Sequence, residues 1–227
     1  MTVAMYEPRK YRDLFNGENL VYFNCLVKET DIQVGANRLM DREVRSAVLK
    51  YREQIEDYAR SNPEFLLSLS PVQAKPWAPD IVKRMCWAGE MAGVGPMAAV
   101  AGALSEFVGR DMLENWYTRE IIVENGGDIF MKSDIPRRVG IYAGTSPLSN
   151  VLAVEVRPEE TPIGICTSAG TVGPSLSFGN ADAAVVIAKA CALADAVATA
   201  LGNRAVNAED LESAVSFALA IRGVVGA

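Results

Sequence analysis

The sequence predicts an α+β fold in which helices pack on an antiparallel or mixed sheet. The element order predicts it first: a strand pair, then helices, then a run of short strands, then helices again, without the regular alternation of a parallel βαβ chain. Composition agrees, since 227 residues with 50% hydrophobic and 22% charged side chains suit a compact folded chain. No short-period repeat or low-complexity segment interrupts that pattern, so a single domain over residues 1–227 is expected.

The elements follow in order. Leu20–Lys28 alternates as a strand, Thr30–Gly35 reads as a second, and residues 28–31 join them as a hairpin. Asp41–Arg60 is a charged amphipathic helix, with Val44, Val48, Ile55 and Tyr58 near helical spacing. Asn62-Pro63 ends it. Pro63, Pro71, Pro76 and Pro79 then make a wandering connection, with a short strand expected at Phe65–Leu69. Residues 63–95 are placed inside the single domain as a helical connection, with a helix over Asp80–Met91. Gly93-Val94-Gly95-Pro96 is a turn, and Pro96 suits the first position of a helix running to about Val108. Strands are expected at Glu120–Glu124, Asp128–Lys132, Arg138–Tyr142, Leu152–Val156, Gly164–Thr167 and Ala183–Ala188. Lys189–Leu201 is a helix, and Asn207, with Asp210 three residues on, opens the last one, ending near Arg222-Gly223.

Charge and composition exclude several functions. A net charge of −6 opposes broad nucleic-acid binding, which needs a basic face. The first residues lack the apolar core of a signal peptide. The most apolar stretch, Ala181–Leu201, contains Asp182, Lys189, Asp195 and Thr199, too polar for a membrane span. A cytoplasmic protein without membrane partners is therefore expected. Cys25, Cys86, Cys166 and Cys191 form no CxxC pair and read as buried free thiols. There is no histidine, so Ser-His-Asp and Cys-His catalysis within the chain is excluded. Proton transfer would fall to Asp, Glu, Lys, Tyr, Cys, backbone or water.

Four segments are candidates for chemistry. In Ala190–Leu201 the polar residues are Asp195 and Thr199, one helical turn apart on one face. A carboxylate there is costly to bury without compensation, and a carboxylate plus a hydroxyl suits a hard cation such as Mg2+. The competing reading has Asp195 binding backbone amides of a neighbouring segment while Thr199 bonds back to its own helix. Asn125-Gly126-Gly127-Asp128 follows an apolar strand. Its glycines allow a ligand to approach the backbone, but they equally make a tight hairpin. Thr167-Ser168-Ala169-Gly170-Thr171-Val172-Gly173 could turn backbone N–H groups toward phosphate oxygens or simply be a loop, and it lacks the P-loop lysine. Gly93-Val94-Gly95-Pro96 opens a helix of small residues, which suits an anion or close helix packing.

Taken in order, the segments resemble the ApbE-like superfamily, known for transferases that move FMN from FAD onto a protein threonine. The resemblance rests on the helix opening at Gly95-Pro96, Val123-Glu124-Asn125-Gly126-Gly127-Asp128, Thr167-Ser168 and Ala194-Asp195-Ala196-Val197-Ala198-Thr199. The chain is more similar still to a shorter, uncharacterised ApbE-related family, through Glu29-Thr30-Asp31, Gly95–Ala103, Val123–Ile129, Ala143–Pro147, Cys166–Gly173, Ser177–Asp182 and Ala194–Thr199. The resemblance implies Asp195 and Thr199 as metal ligands for Mg2+. It also implies a phosphate-bearing ligand, such as FAD or another nucleotide, at Gly95, Asn125, Gly126, Gly127, Asp128, Thr167, Ser168, Gly170 and Thr171. A homo-oligomer is left open. Two departures bear on chemistry: the transferases carry a lysine near the position of Ala99 and a histidine-containing segment where this chain reads Gly173–Asp182 without one. Ala169 and Pro174 also stand where many relatives of the shorter family have serine and histidine. A metal-dependent enzyme on a phosphate-bearing ligand and a binding or scaffold protein that has lost flavin transfer both remain as readings.

Overall fold

The computed structural model describes residues 12, 17, 19–170 and 178–227. The chain folds as α+β, with a seven-stranded sheet in the order β1-β2-β3-β4-β7-β8-β9 and every neighbouring pair antiparallel. The strands are β1 Val21–Val27, β2 Thr30–Ala36, β3 Ile121–Asn125, β4 Asp128–Lys132, β7 Ile163–Ser168, β8 Ala184–Ala188 and β9 Val224–Gly226. The expected strands at Arg138–Tyr142 and Leu152–Val156 exist as β5 Arg137–Gly140 and β6 Ala153–Val156, but they pair with each other in a separate two-stranded sheet. That hairpin packs Val139, Val154 and Val156 against Ile129, Met131, Ile163 and Ile165, covering one face of the large sheet.

The other face carries the helices. The main core joins the inner residues of the large sheet, Val34, Ile121, Val123, Phe130, Cys166 and Val186 among them, to α1 Asp41–Ser61, α3 Asp80–Ala92, α4 Val100–Asn115 and α5 Cys191–Arg204. Strand alternation produces this split. Register pairs Val123 with Phe130 on the helix side and Ile122 with Met131 on the hairpin side. The apolar stripe of α1 is the one that helical spacing predicts: Val44, Ala47, Val48, Ile55 and Tyr58 are its buried residues.

Three details correct the sequence reading. The strand expected at Phe65–Leu69 is instead part of a short helix, α2 Pro63–Leu67. Pro63 at its first turn presets a helical φ, and Phe65 turns inward to meet Tyr58 edge-to-face at 5.2 Å. A three-residue apolar run alone does not separate helix from strand. The helix opening at Pro96 begins as a 3-10 turn, Pro96–Ala99, and α4 then continues to Asn115 rather than ending near Val108. The last helix is α6 Leu211–Ala220, after a 3-10 turn at Ala208–Asp210. The chain then adds β9, too short for alternation to reveal, after Gly223 at φ +102°.

Close approach between α4 and α5 explains one glycine. A Cβ on Gly102 would lie 2.6 Å from the Cys191 carbonyl oxygen and 2.7 Å from Asp195 Cβ. Gly102→Ala is expected to destabilise the protein, because an overpacking cost of about 1–3 kcal/mol exceeds the ~1 kcal/mol gained in helix propensity. Urea unfolding checks this; a variant as stable as the parent would show that the two helices separate freely.

Candidate functional site

Two candidate segments, the turn at 125–128 and Asp195, meet where α4 begins. β3 and β4 are joined by the tight turn at Gly126 and Gly127, both at positive φ (+69° and +100°), as the hairpin reading required. The turn is held from two sides: Glu124 Oε1 accepts the Gly127 N–H at 2.8 Å, and the Gly127 carbonyl accepts the Thr167 N–H at 3.2 Å. Asn125 and Asp128 are paired in register, and Asp128 pairs with Cys166. These three side chains therefore share the helix face of the sheet. Two contacts tie this corner to α4. Asn125 Nδ2 donates to the Ala101 carbonyl at 3.4 Å, and Ser105 Oγ donates to the Asp128 carbonyl at 3.0 Å.

Helix α5 crosses the same corner. Nearly all of it is buried; between Cys191 and Asn203 only Asp195, Thr199 and Asn203 reach partial exposure, at a spacing of one turn each. Asp195 Oδ2 accepts the Gly102 N–H at 2.8 Å. This is the backbone bond of the competing reading, and it places the carboxylate at the start of α4, where the helix dipole favours negative charge. Burial raises the Asp195 carboxyl to about 7, although the Gly102 and Ala101 amides pull it down. No lysine or arginine pairs with Asp195 among the described residues. Ser168 pairs in register with Ala184 and so faces the helices, its Oγ near Gly202 on α5.

Other expected positions have structural explanations. Gly95 is buried with the backbone of Ser68 directly behind it, so a side chain there would collide with the chain. Gly170 donates its N–H to the Ala181 carbonyl at 2.9 Å and packs on Gly179. Thr171 lies outside the described residues, as does the rest of that loop to residue 177. The two cavities of note open elsewhere. One, of about 360 Å³, lies on the hairpin side and is lined in part by Tyr22, Ile122 and Arg137; the other, of about 460 Å³, lies beside Trp87. Neither is lined by Gly95, Asn125, Gly126, Gly127, Asp128, Thr167, Ser168, Asp195 or Thr199, although Glu124 lines the first and Leu193 the second.

Two arrangements near the corner escaped the sequence reading, although the cysteines in the first were expected as buried free thiols. Cys166 and Cys191 place their sulfurs 3.6 Å apart, fully buried and reduced. Burial pushes the Cys191 thiol up to about 11 and the Cys166 thiol well above its ordinary value, so neither supplies a thiolate at neutral pH. The second group is an ion triad. Arg12 bonds Glu124 through Nε at 2.7 Å and Asp31 through Nη1 at 2.9 Å, all three buried. Burial works against the Arg12 charge, but the Glu124 and Asp31 carboxylates outweigh it and raise its pKa. The signal was partial: Asp31 and Glu124 stand inside two of the motifs, whereas Arg12 lies in a segment without periodicity.

The antiparallel sheet with helices on one face is a fold shared with flavin transferases of known structure. The flavinyl transferase ApbE of Pseudomonas stutzeri in its apo form aligns at a TM-score of 0.57 and 15% identity, over 87% of this chain and 88% of that one. The flavin transferase ApbE of Vibrio cholerae aligns at 0.57 and 12% identity, over 87% and 90%. At such identities the likeness is one of fold. Membership follows from sequence: the chain belongs to the family described as AbpE bacteria, whose model matches residues 12–220. It is also 44% identical over 201 residues to a UPF0280 protein of Methanocella arvoryzae, covering 88% of this chain and 81% of the relative. A UPF0280 protein of Methanococcus aeolicus is 49% identical over 168 residues, covering 73% and 67%. Among the described residues, no single helix is long and apolar enough to cross a membrane.

Proposed function

We propose that this chain binds a phosphate-bearing ligand, of which a flavin nucleotide is the leading case, together with Mg2+ at the corner formed by Asp195, Thr199 and the turns at 125–128 and 167–170. The observation that carries this reading is a carboxylate set in an alanine-rich helix with no cationic partner among the described residues, one turn from a threonine on the same partly exposed stripe. A cation is the natural compensation for that charge.

The donor set fits magnesium in one respect. Asp195 and Thr199 offer hard oxygens, and no group of three Asp, Glu, Cys or His side chains able to hold a metal exists among the described residues. Magnesium accepts that poverty, because it takes one or two carboxylates and completes its shell with water and substrate phosphates. Bound there, the ion would neutralise phosphate charge. Asp195 and Thr199 would hold it, and the Ser168 hydroxyl, on the helix side of the sheet, would be the protein donor for the anionic group. The second reading, a scaffold without this ligand, is favoured by the Gly102 bond, which gives Asp195 a structural role as a helix cap.

Isothermal titration with FAD in the presence of MgCl2 separates them. The parent is expected to bind in a magnesium-dependent manner, and Asp195→Asn to weaken that binding at least tenfold while keeping the fold. No binding by the parent would leave the scaffold reading; unchanged affinity in the variant would show that the ligand binds without Asp195 and would overturn the assignment of the metal site. Covalent FMN transfer is not expected, because the chain lacks both histidine and a lysine near Ala99. Incubation with FAD, magnesium and a transferase acceptor peptide should leave the peptide mass unchanged.

A further inference from the structure

We infer that the cavity beside Trp87 is a second anion site, distinct from the Asp195 corner, which takes a small phosphate-bearing molecule with an apolar or ring-shaped part. The cavity is an open groove of about 460 Å³ between α3, α4, the start of α5 and the segment before β9. Four cationic side chains line it: Arg84, Arg110, Lys189 and Arg222. One carboxylate, that of Glu106, faces this group. It is fully buried, 3.2 Å from Arg110 Nε and 3.9 Å from Arg84 Nη2, with its other oxygen accepting the Ala192 N–H at 3.3 Å. Glu106 is thereby committed, and it offsets at most one of the four charges.

Among the described residues, Lys189 and Arg222 pair with no carboxylate. Lys189 Nζ donates to the Glu160 carbonyl at 3.0 Å, a neutral acceptor, and Arg222 is exposed with no ion pair among the described residues. This surplus of positive charge sits in a chain whose net charge is −6, so the cavity stands as a local cationic well on an acidic molecule. Like charges gathered at one concavity repel one another unless an anion joins them, and a concave wall of low dielectric strengthens their pull on that anion. The remainder of the lining is apolar, with Trp87 partly exposed under the Arg84 guanidinium at 5.2 Å and Leu193 beside it. Guanidinium and ammonium groups match phosphate oxygens, and the indole offers a face to a ring. No residue of the Asp195 stripe enters this lining, so the inference stands independently of the proposal above.

The test uses inorganic pyrophosphate, titrated calorimetrically into the full chain in EDTA at low ionic strength, with Trp fluorescence recorded in parallel. EDTA removes any contribution from a magnesium site, and Asp195→Asn is run beside the parent. Saturable one-site binding is expected in both, weakened at least tenfold by Arg222→Glu and by Lys189→Glu. Both substitutions fall on exposed side chains, so the fold should persist. Lys28→Glu, in the turn between β1 and β2 at the opposite edge of the sheet, should bind as the parent does. Absence of saturable binding by the parent, equal weakening by Lys28→Glu, or undiminished affinity in both cavity variants would overturn the inference.

Discussion

In metal-free buffer at pH 8, Asp195→Asn is expected to be more stable than the parent. The Asp195 carboxyl rises from 3.8 to about 7 on folding, because burial penalises the ionised form more than the Gly102 and Ala101 amides favour it. The folded state therefore holds a proton that the unfolded state releases once pH exceeds 3.8. The contribution of this carboxyl to stability falls as pH rises through the window between those two values and levels off above about 7. A shift of that size corresponds to a loss on the order of 4 kcal/mol. Asparagine keeps an acceptor for the Gly102 N–H and cannot ionise. The variant should gain most of that energy at pH 8 and little near pH 4. Magnesium added to the parent at pH 8 should recover part of the difference if the ion binds there. Urea unfolding at both pH values in EDTA checks the whole pattern. A variant less stable than the parent at pH 8 would mean that protein groups already compensate the charge, and Asp195 would be a helix cap alone.

Arg12→Ala should cost about 3–5 kcal/mol, the usual penalty for removing one partner of a buried ion group. The reason is the pair of carboxylates left behind: Glu124 and Asp31 are 1% and 5% exposed. The effect should reach the candidate site, because Glu124 holds the turn through the Gly127 N–H. Denaturation measures the loss, and hydrogen exchange at Gly127 reports whether the turn loosens. Losing less than about 1 kcal/mol would show that the triad is solvated and contributes as a surface ion pair does.

Much of the fold was legible because local periodicity is strong where one face is buried. The stripe of α1 identifies its element without any tertiary knowledge, whereas residues 121–123 and 129–131 are continuous apolar runs whose two faces only the sheet register separates. The failures came where local signals are short. Phe65–Leu67 lacks the length to choose between helix and strand, and the contact with Tyr58 is made only in the folded chain. β5 and β6 were recognisable as strands, but which strands they join is a matter of long-range pairing.

By itself the sequence determined the α+β order, the motifs that resemble ApbE-like proteins, the absence of histidine chemistry and the placing of Asp195 and Thr199 on one helix face. Tertiary structure alone decided what each group touches. It set Asp195 against the start of α4, gave Gly95 a packing explanation, and joined Arg12 to Asp31 and Glu124 across the chain. It also gathered Arg84, Arg110, Lys189 and Arg222 around one cavity. The physical reason is range. Helical and strand spacing act over a few residues, so faces can be read locally, whereas burial and charge compensation depend on which distant segments the core brings together.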